Sequence, residues 1–165
     1  MTEKSPLTVL DRPNSFIGKS VSRAGAKRLL EGRGTFVDDM TLPRMVHVAF
    51  CRSPFAHAKF GAINSEAAKA ASGIISVVTG RELAEYCTPW VGVLTHLQGL
   101  KSAPQHAIAL DKACWQGEAV VAVIAETRSQ AEDAVELVEI DYQELPVVAD
   151  METALDDATP VIHSD

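Results

Sequence analysis

Histidine and cysteine are the side chains of this sequence best suited to bind a transition metal, because imidazole nitrogen and thiolate sulfur are common metal ligands. The chain has 5 histidines and 3 cysteines. They are scattered, and neither a C-x-x-C nor an H-E-x-x-H motif occurs. The sequence therefore predicts no metal site in this chain.

Motifs for nucleophilic catalysis and phosphate binding are missing as well. No G-x-S-x-G motif occurs, and Ser53 is followed by Pro54, which indicates a turn. Gly32 and Gly34 lie in a basic segment without the third glycine of a dinucleotide-binding loop. Asp38 and Asp39 are interpreted either as turn residues or as ligands of a cation. We predict no catalytic and no cofactor-binding residue here.

Apolar patterns define the strands that would position any site. Residues 119–125, AVVAVIA, form a continuous apolar run, which is typical of a strand buried on both faces. Residues 45–51 alternate in a way that predicts a strand with two partly buried faces. Further strands are predicted at 59–63, 74–78 and 139–142.

Capping signals define the helices. Thr127 and Gln130 fit a capping box that begins a helix over 129–138. Shorter helices are predicted after Asn64 and Ser65, over 81–86 and over 150–155. Together the elements predict an α+β domain, with a few short helices packed on one mixed β-sheet. This domain is expected to span 17–165, after a flexible N-terminal lead over 1–16.

Composition excludes several classes of protein. With 47% hydrophobic and 22% charged residues, the chain is typical of a globular domain. Its net charge of −7 would repel nucleic-acid phosphates. No apolar run approaches the roughly 20 residues of a membrane span. An odd number of cysteines without a recognisable signal peptide predicts a reducing, cytoplasmic location.

Three segments resemble one known family. Residues 32–60 resemble the opening of the large, molybdenum-binding subunit of the xanthine dehydrogenase, aldehyde oxidase and carbon monoxide dehydrogenase family. That opening has a G-x-x-x-(Y/F)-x-x-D step followed by a strand and R-S-P-x-A-H-A. The matching residues are Gly32, Phe36, Asp39, Arg52, Ser53, Pro54, Ala56, His57 and Ala58. Residues 109–148 and 72–86 are similar to later segments of the same domain, with Ala113 for valine, Ser72 for proline and Glu82 for aspartate.

The resemblance implies the α/β hammerhead fold and a place in a larger enzyme. The parent enzymes of this family use a molybdenum-pterin centre, [2Fe–2S] clusters and FAD, and the implied partners are the molybdenum-binding remainder of the large subunit, an iron–sulfur subunit and an FAD subunit. Interface residues are carried over by position. Arg52, Ser53, Pro54 and His57 resemble the turn that contacts the molybdenum domain, and Gly117 resembles a tight turn where a side chain is not expected to fit.

Two hypotheses from different classes follow. In the first, the chain is a scaffold and interface domain of a molybdenum-containing hydroxylase and is not catalytic alone. In the second, it is a free-standing binding module with the hammerhead fold. An exposed apolar patch would favour the first, because a domain that contacts a larger one leaves apolar surface uncovered when alone. An independent enzyme would need a constellation of residues that no motif indicates.

Overall fold

The computed structural model describes residues 16, 18–92, 94 and 96–163. The chain divides into two compact units, Met1–Pro43 and Arg44–Asp165. In the first unit, helix α1 spans Ala26–Leu30 and a 3-10 helix spans Val37–Asp39. None of the described residues of this unit is buried. The predicted N-terminal lead lies outside the described residues, except for Phe16.

The described part of the second unit contains two sheets of three strands each. Sheet A has the order β1-β5-β3, and sheet B has the order β4-β2-β6. The strands are β1 His47–Arg52, β2 Ala58–Asn64, β3 Ile74–Thr79, β4 Lys112–Ala113, β5 Ala119–Ala125 and β6 Glu139–Glu144. The helices are α2 Glu66–Ala70, α3 Gly80–Leu83 and α4 Arg128–Val135. The predicted α+β class is confirmed, and so is each predicted strand, to within two residues at each end.

The prediction of a single mixed sheet is wrong, because every strand pairing within the described residues is antiparallel and the strands divide between two sheets. The connection from β2 through α2 to β3 is too short for a parallel crossover, so β3 joins a different sheet from β2.

The prediction of a helix over 150–155 is also wrong. There the Asp150 carboxylate accepts a hydrogen bond from the backbone N–H of Glu152 at 2.9 Å, a local bond that favours a turn over a helix.

The hydrophobic core lies around β5, the central strand of sheet A. Val120, Val121 and Val123 are fully buried and cluster with side chains of both sheets, including Phe60 of β2 and Val77 of β3. Helix α4 packs on β1 and β5, and its buried residues are Ala131 and Ala134. Small residues on this helix let its axis approach the sheet closely.

Helix α4 begins with the predicted capping box. The Thr127 hydroxyl accepts a hydrogen bond from the Gln130 backbone N–H, and the Gln130 side chain accepts one from the Thr127 backbone N–H. The helix ends at Val135, three residues before the predicted end of 138.

Loss of the Thr127 hydroxyl is expected to destabilise the domain. Thr127→Ala leaves a helix-start N–H without its partner, so the free energy of unfolding should fall by about 1 kcal/mol in urea denaturation. Thr127→Ser keeps an accepting hydroxyl and should behave like the wild type. Equal losses for the two variants would show that the cap does not stabilise α4.

Candidate interface site

The turn after β1 is held to the segment before β5 by three hydrogen bonds. The Ser53 N–H donates to the Glu118 carbonyl at 2.8 Å, and the Gly117 N–H donates to the Ser53 carbonyl at 2.9 Å. The Arg52 guanidinium donates through Nη1 to the Gly117 carbonyl at 2.9 Å. Three of the five predicted interface residues, Arg52, Ser53 and Gly117, are therefore in direct contact.

Ser53 closes the turn from within. Its hydroxyl accepts a hydrogen bond from the Phe55 N–H at 3.1 Å and donates one to the Phe55 carbonyl at 2.9 Å. The residue is only 2% exposed. Its polar groups are satisfied inside the domain, so its contribution is to the shape of the turn.

His57 attaches the other end of the turn to the segment after β6. Its Nδ1 lies 2.7 Å from the Pro146 carbonyl oxygen, and because a carbonyl only accepts, Nδ1 carries the proton. The backbone strengthens this contact, since the Leu145 N–H donates to the His57 carbonyl at 2.9 Å. The residue is 5% exposed, and its buried Nε2 has no hydrogen-bond partner within the described part of the chain.

The five predicted residues thus divide by exposure. Ser53 and His57 are buried, whereas Arg52 and Pro54 are exposed and Gly117 is half-buried. Gly117 does not lack space for a side chain, contrary to the prediction. A Cβ added there would meet nothing within 4 Å, but the backbone has a φ of +88°, which L side chains rarely adopt. Conformation, and not space, requires glycine at this position.

Glu118 is a residue of this site that the sequence reasoning missed. It is 8% exposed, and its carboxylate accepts a hydrogen bond from the Cys114 N–H at 2.6 Å. Burial raises the pKa of this carboxyl, while the N–H groups of Cys114 and Trp115 oppose that increase. A lone acid between a glycine and an apolar strand was the only available signal. The carboxylate shapes the loop of residues 114–118, to which the turn is bonded.

The raised pKa predicts a specific pH dependence of stability. Between the ordinary value of 4.5 and the higher folded-state value, the folded state binds more protons than the unfolded state. The contribution of Glu118 to the free energy of unfolding therefore falls as the pH rises through that window. Glu118→Gln cannot ionise but keeps an accepting oxygen. Relative to this variant, the wild type should lose stability from pH 4 toward pH 8, as measured by urea denaturation followed by tryptophan fluorescence.

The stability of the wild type also depends on pH through Glu82, so the effect of Glu118 is measured relative to the Glu118→Gln variant. Hydrogen bonds from the backbone and side chain of Thr79 lower the pKa of Glu82, so its contribution to stability has the opposite dependence on pH. Both proteins keep Glu82, and the difference between their pH curves isolates Glu118. Parallel curves would contradict the prediction.

A small polar cavity lies beside this loop. It has a volume of about 90 Å³ and is lined partly by His106, Lys112, Trp115, Glu118 and His163. This volume is well below the roughly 300 Å³ of sites that hold drug-sized ligands. The Lys112 ammonium donates to the Ile162 carbonyl at 2.7 Å. The cavity can hold a few water molecules, but it does not fit a pterin or a flavin.

The donor side chains do not fit an iron–sulfur cluster either. The chain has three cysteines, one fewer than the four thiolates that hold a ferredoxin-type [2Fe–2S] cluster. Burial raises the pKa of the Cys51 thiol, which disfavours the thiolate form that binds metals. Among the described residues, no group of three or more histidine, cysteine or acidic side chains converges on one point.

Comparison with known proteins shows the family. Residues 31–146 match the family model described as the aldehyde oxidase and xanthine dehydrogenase a/b hammerhead domain. The chain therefore belongs to the hammerhead-domain family of these oxidoreductases, as the three sequence segments predicted.

The relatives are large subunits of oxidoreductases. The carbon monoxide dehydrogenase large chain of Hydrogenophaga pseudoflava is 38% identical over 146 residues, which are 87% of this chain and 17% of the relative. The nicotine 6-hydroxylase large subunit of Paenarthrobacter nicotinovorans is 37% identical over 136 residues, covering 82% of this chain and 16% of the relative.

The solved structures agree in fold. Quinoline 2-oxidoreductase from Pseudomonas putida 86 superposes with a TM-score of 0.78 at 39% identity, covering 84% of this chain and 18% of that one. The chain thus spans about a sixth of the length of the relatives it matches. Within the described residues, no helix is both long and apolar enough to cross a membrane.

Proposed function

We propose that this chain is a scaffold and interface domain of a molybdenum-containing hydroxylase, without catalytic activity of its own. The observation that carries the proposal is the unequal coverage in the comparisons. Alignments that span 82% to 87% of this chain span only 16% to 17% of the large subunits of nicotine 6-hydroxylase and carbon monoxide dehydrogenase. A domain of this size in such subunits is one part of a larger fold.

We propose that one turn of this domain contacts the molybdenum-binding part of the enzyme. Its residues are Arg52, Ser53, Pro54, His57 and Gly117. Its buried members hold the backbone rigid through bonds to residues 117–118 and 145–146. Its exposed members, Arg52 and Pro54, remain available to a neighbouring surface. A preformed turn loses little conformational entropy on docking, so its contacts contribute more to the affinity.

The cofactors of the whole enzyme are assigned to other parts of the assembly. We propose a molybdenum-pterin centre in the remainder of the large subunit, with [2Fe–2S] clusters and FAD in partner subunits of a cytoplasmic complex. The donor set described above fits none of these groups within this chain. The chain's role is then to position other domains and to exclude water between them.

Reconstitution tests the proposal. The chain, supplied to an assembly of the remaining subunits from its own source, should restore substrate oxidation, while the chain alone should turn over nothing. Full and stable activity of the assembly without this domain would disprove the proposal. Metal and flavin content of the native complex is the second readout, and molybdenum, iron and flavin should co-purify with the chain.

The alternative is a free-standing binding module with the same fold. The polar cavity of about 90 Å³ beside Glu118 is one candidate ligand site, and its size limits a ligand there to a small ion or a few waters. The chain also exposes many large apolar side chains. A module that had adapted to function alone would be expected to have lost them. These observations favour the scaffold.

A further inference from the structure

Strand β1 presents apolar side chains to solvent. Along this strand, the half-buried residues His47, Ala49 and Cys51 alternate with exposed ones. The exposed positions carry Val48 and Phe50, which are 50% and 41% exposed. An antiparallel sheet with one wet face normally places polar residues there. This strand has the opposite pattern, which indicates that its exposed face is normally covered.

The register of sheet A extends this face across all three strands. Val48 pairs with Ile124 and Phe50 with Ala122, while Val78 on β3 also pairs with Ala122. Paired residues in an antiparallel sheet point to the same side. We call the apolar set Val48, Phe50, Val78, Ala122 and Ile124 the outer face. Val48 and Phe50 are exposed, Val78 and Ile124 are half-buried and Ala122 is buried between them, while the exposed Ser76, which pairs with Ile124, is polar. The members of the outer face are absent from the core cluster, which contains Val77, Val121 and Val123 from the opposite face.

Two features at the borders of the outer face give it a defined shape and charge. Beyond β3, a surface depression of about 430 Å³ is lined by residues of β3, by Glu82 and Leu83 of α3, and by Glu85 and Tyr86. Beyond Phe50, the Arg52 guanidinium carbon lies 5.4 Å from the centre of the Phe50 ring. Arg52 is the only charged side chain among the described strand residues of this side of β1. A fitting partner is therefore apolar over the outer face, with a carboxylate for Arg52 and a polar or basic side chain for the depression, which Glu82 and Glu85 line.

We infer that the outer face is the docking surface for the larger, remaining part of a molybdenum hydroxylase large subunit. This inference rests on the proposed function and adds a second surface to the turn described above. Arg52 belongs to both, because it ends β1 on the outer face and donates to Gly117 beside the turn. The two surfaces are continuous at this residue.

Two observations favour this partner over a second copy of the chain: the alignment coverage of a relative and the net charge of this chain. The large chain of Hydrogenophaga pseudoflava carbon monoxide dehydrogenase aligns with this chain over only 17% of its length, so most of that polypeptide is available to cover the face. A second copy of this chain is the competing occupant. Each copy carries a net charge of −7, and like charges oppose their association.

Cysteine accessibility tests the assignment. Val48→Cys places a thiol on the outer face. Leu137→Cys is the matched control, because Leu137 is 43% exposed and lies just after α4, which covers the opposite face. Each variant is made in the isolated chain and in a chimera in which the chain replaces the matching segment of that large subunit. The rate of alkylation by a maleimide is read at each position by peptide mass.

The expected result is that Val48→Cys reacts at least tenfold more slowly in the chimera than in the isolated chain, whereas Leu137→Cys reacts at similar rates in both. Equal rates for Val48→Cys in an assembled chimera would overturn the assignment and leave the proposed function standing. A chimera that fails to assemble, when the parental subunit does, would overturn both. A dimer of the isolated chain that protects Val48→Cys would identify a second copy as the occupant.

Discussion

Gly80→Ala should destabilise the domain by about 3 kcal/mol, because the new methyl group has no room. Gly80 is buried at the start of α3, and a Cβ added there would lie 2.1 Å from the Ala109 carbonyl oxygen and 2.8 Å from the Ile108 carbonyl oxygen. Both contacts are with backbone, which cannot rotate away as a side chain can. The Ala109 N–H is itself bonded to the Ala119 carbonyl at 2.9 Å, so this segment is held against β5.

Thermal denaturation followed by circular dichroism measures this effect. A loss of about 3 kcal/mol corresponds to a decrease in melting temperature of about 10 °C for a domain of this size. Gly61→Ala is the matched control, since a Cβ there meets nothing within 4 Å and its φ is ordinary. That variant should be neutral or more stable by up to about 1 kcal/mol. Equal melting temperatures for the two variants would refute the steric argument.

Removal of the His57 imidazole is expected to have a similarly large effect. His57→Ala leaves a cavity at a site that is 5% exposed and removes the hydrogen bond to the Pro146 carbonyl. The two losses together should lower the free energy of unfolding by about 2 to 4 kcal/mol. Urea denaturation monitored by circular dichroism gives this quantity directly.

His57→Asn separates the hydrogen bond from the packing. The asparagine amide can place an N–H donor where Nδ1 donates in the wild type, but it fills less volume. We expect it to recover about 1 kcal/mol of the loss seen in His57→Ala, the typical contribution of a hydrogen bond. If asparagine and alanine destabilise equally, the bond to Pro146 contributes nothing and the effect of His57 is packing alone.

Local patterns were enough to predict the elements of this fold. The apolar run of β5 and the capping box at Thr127 each specify structure through contacts within a few residues, and both predictions are confirmed. The sequence segments that resemble the large subunits also identified the family, because the R-S-P-x-A-H-A turn and the segment around Gly117 are specific. The sheet arrangement was not predictable in this way, since antiparallel pairing joins residues far apart in the chain.

In the candidate site, too, some features were predictable from the sequence and others depended on the folded structure. The sequence alone identified Arg52, Ser53, His57 and Gly117 as candidate interface residues. It could not show that Ser53 forms hydrogen bonds with residues 117–118 or that His57 forms one with Pro146. It also gave no reason to single out Glu118, whose altered pKa arises from burial in the folded chain. Alternation along β1 predicted a strand with two partly buried faces, but tertiary packing covers only one of them and leaves Val48, Phe50 and Arg52 exposed. Residue type and local spacing thus determined the elements and the family, whereas long-range contacts decided burial, partner atoms and the face left open.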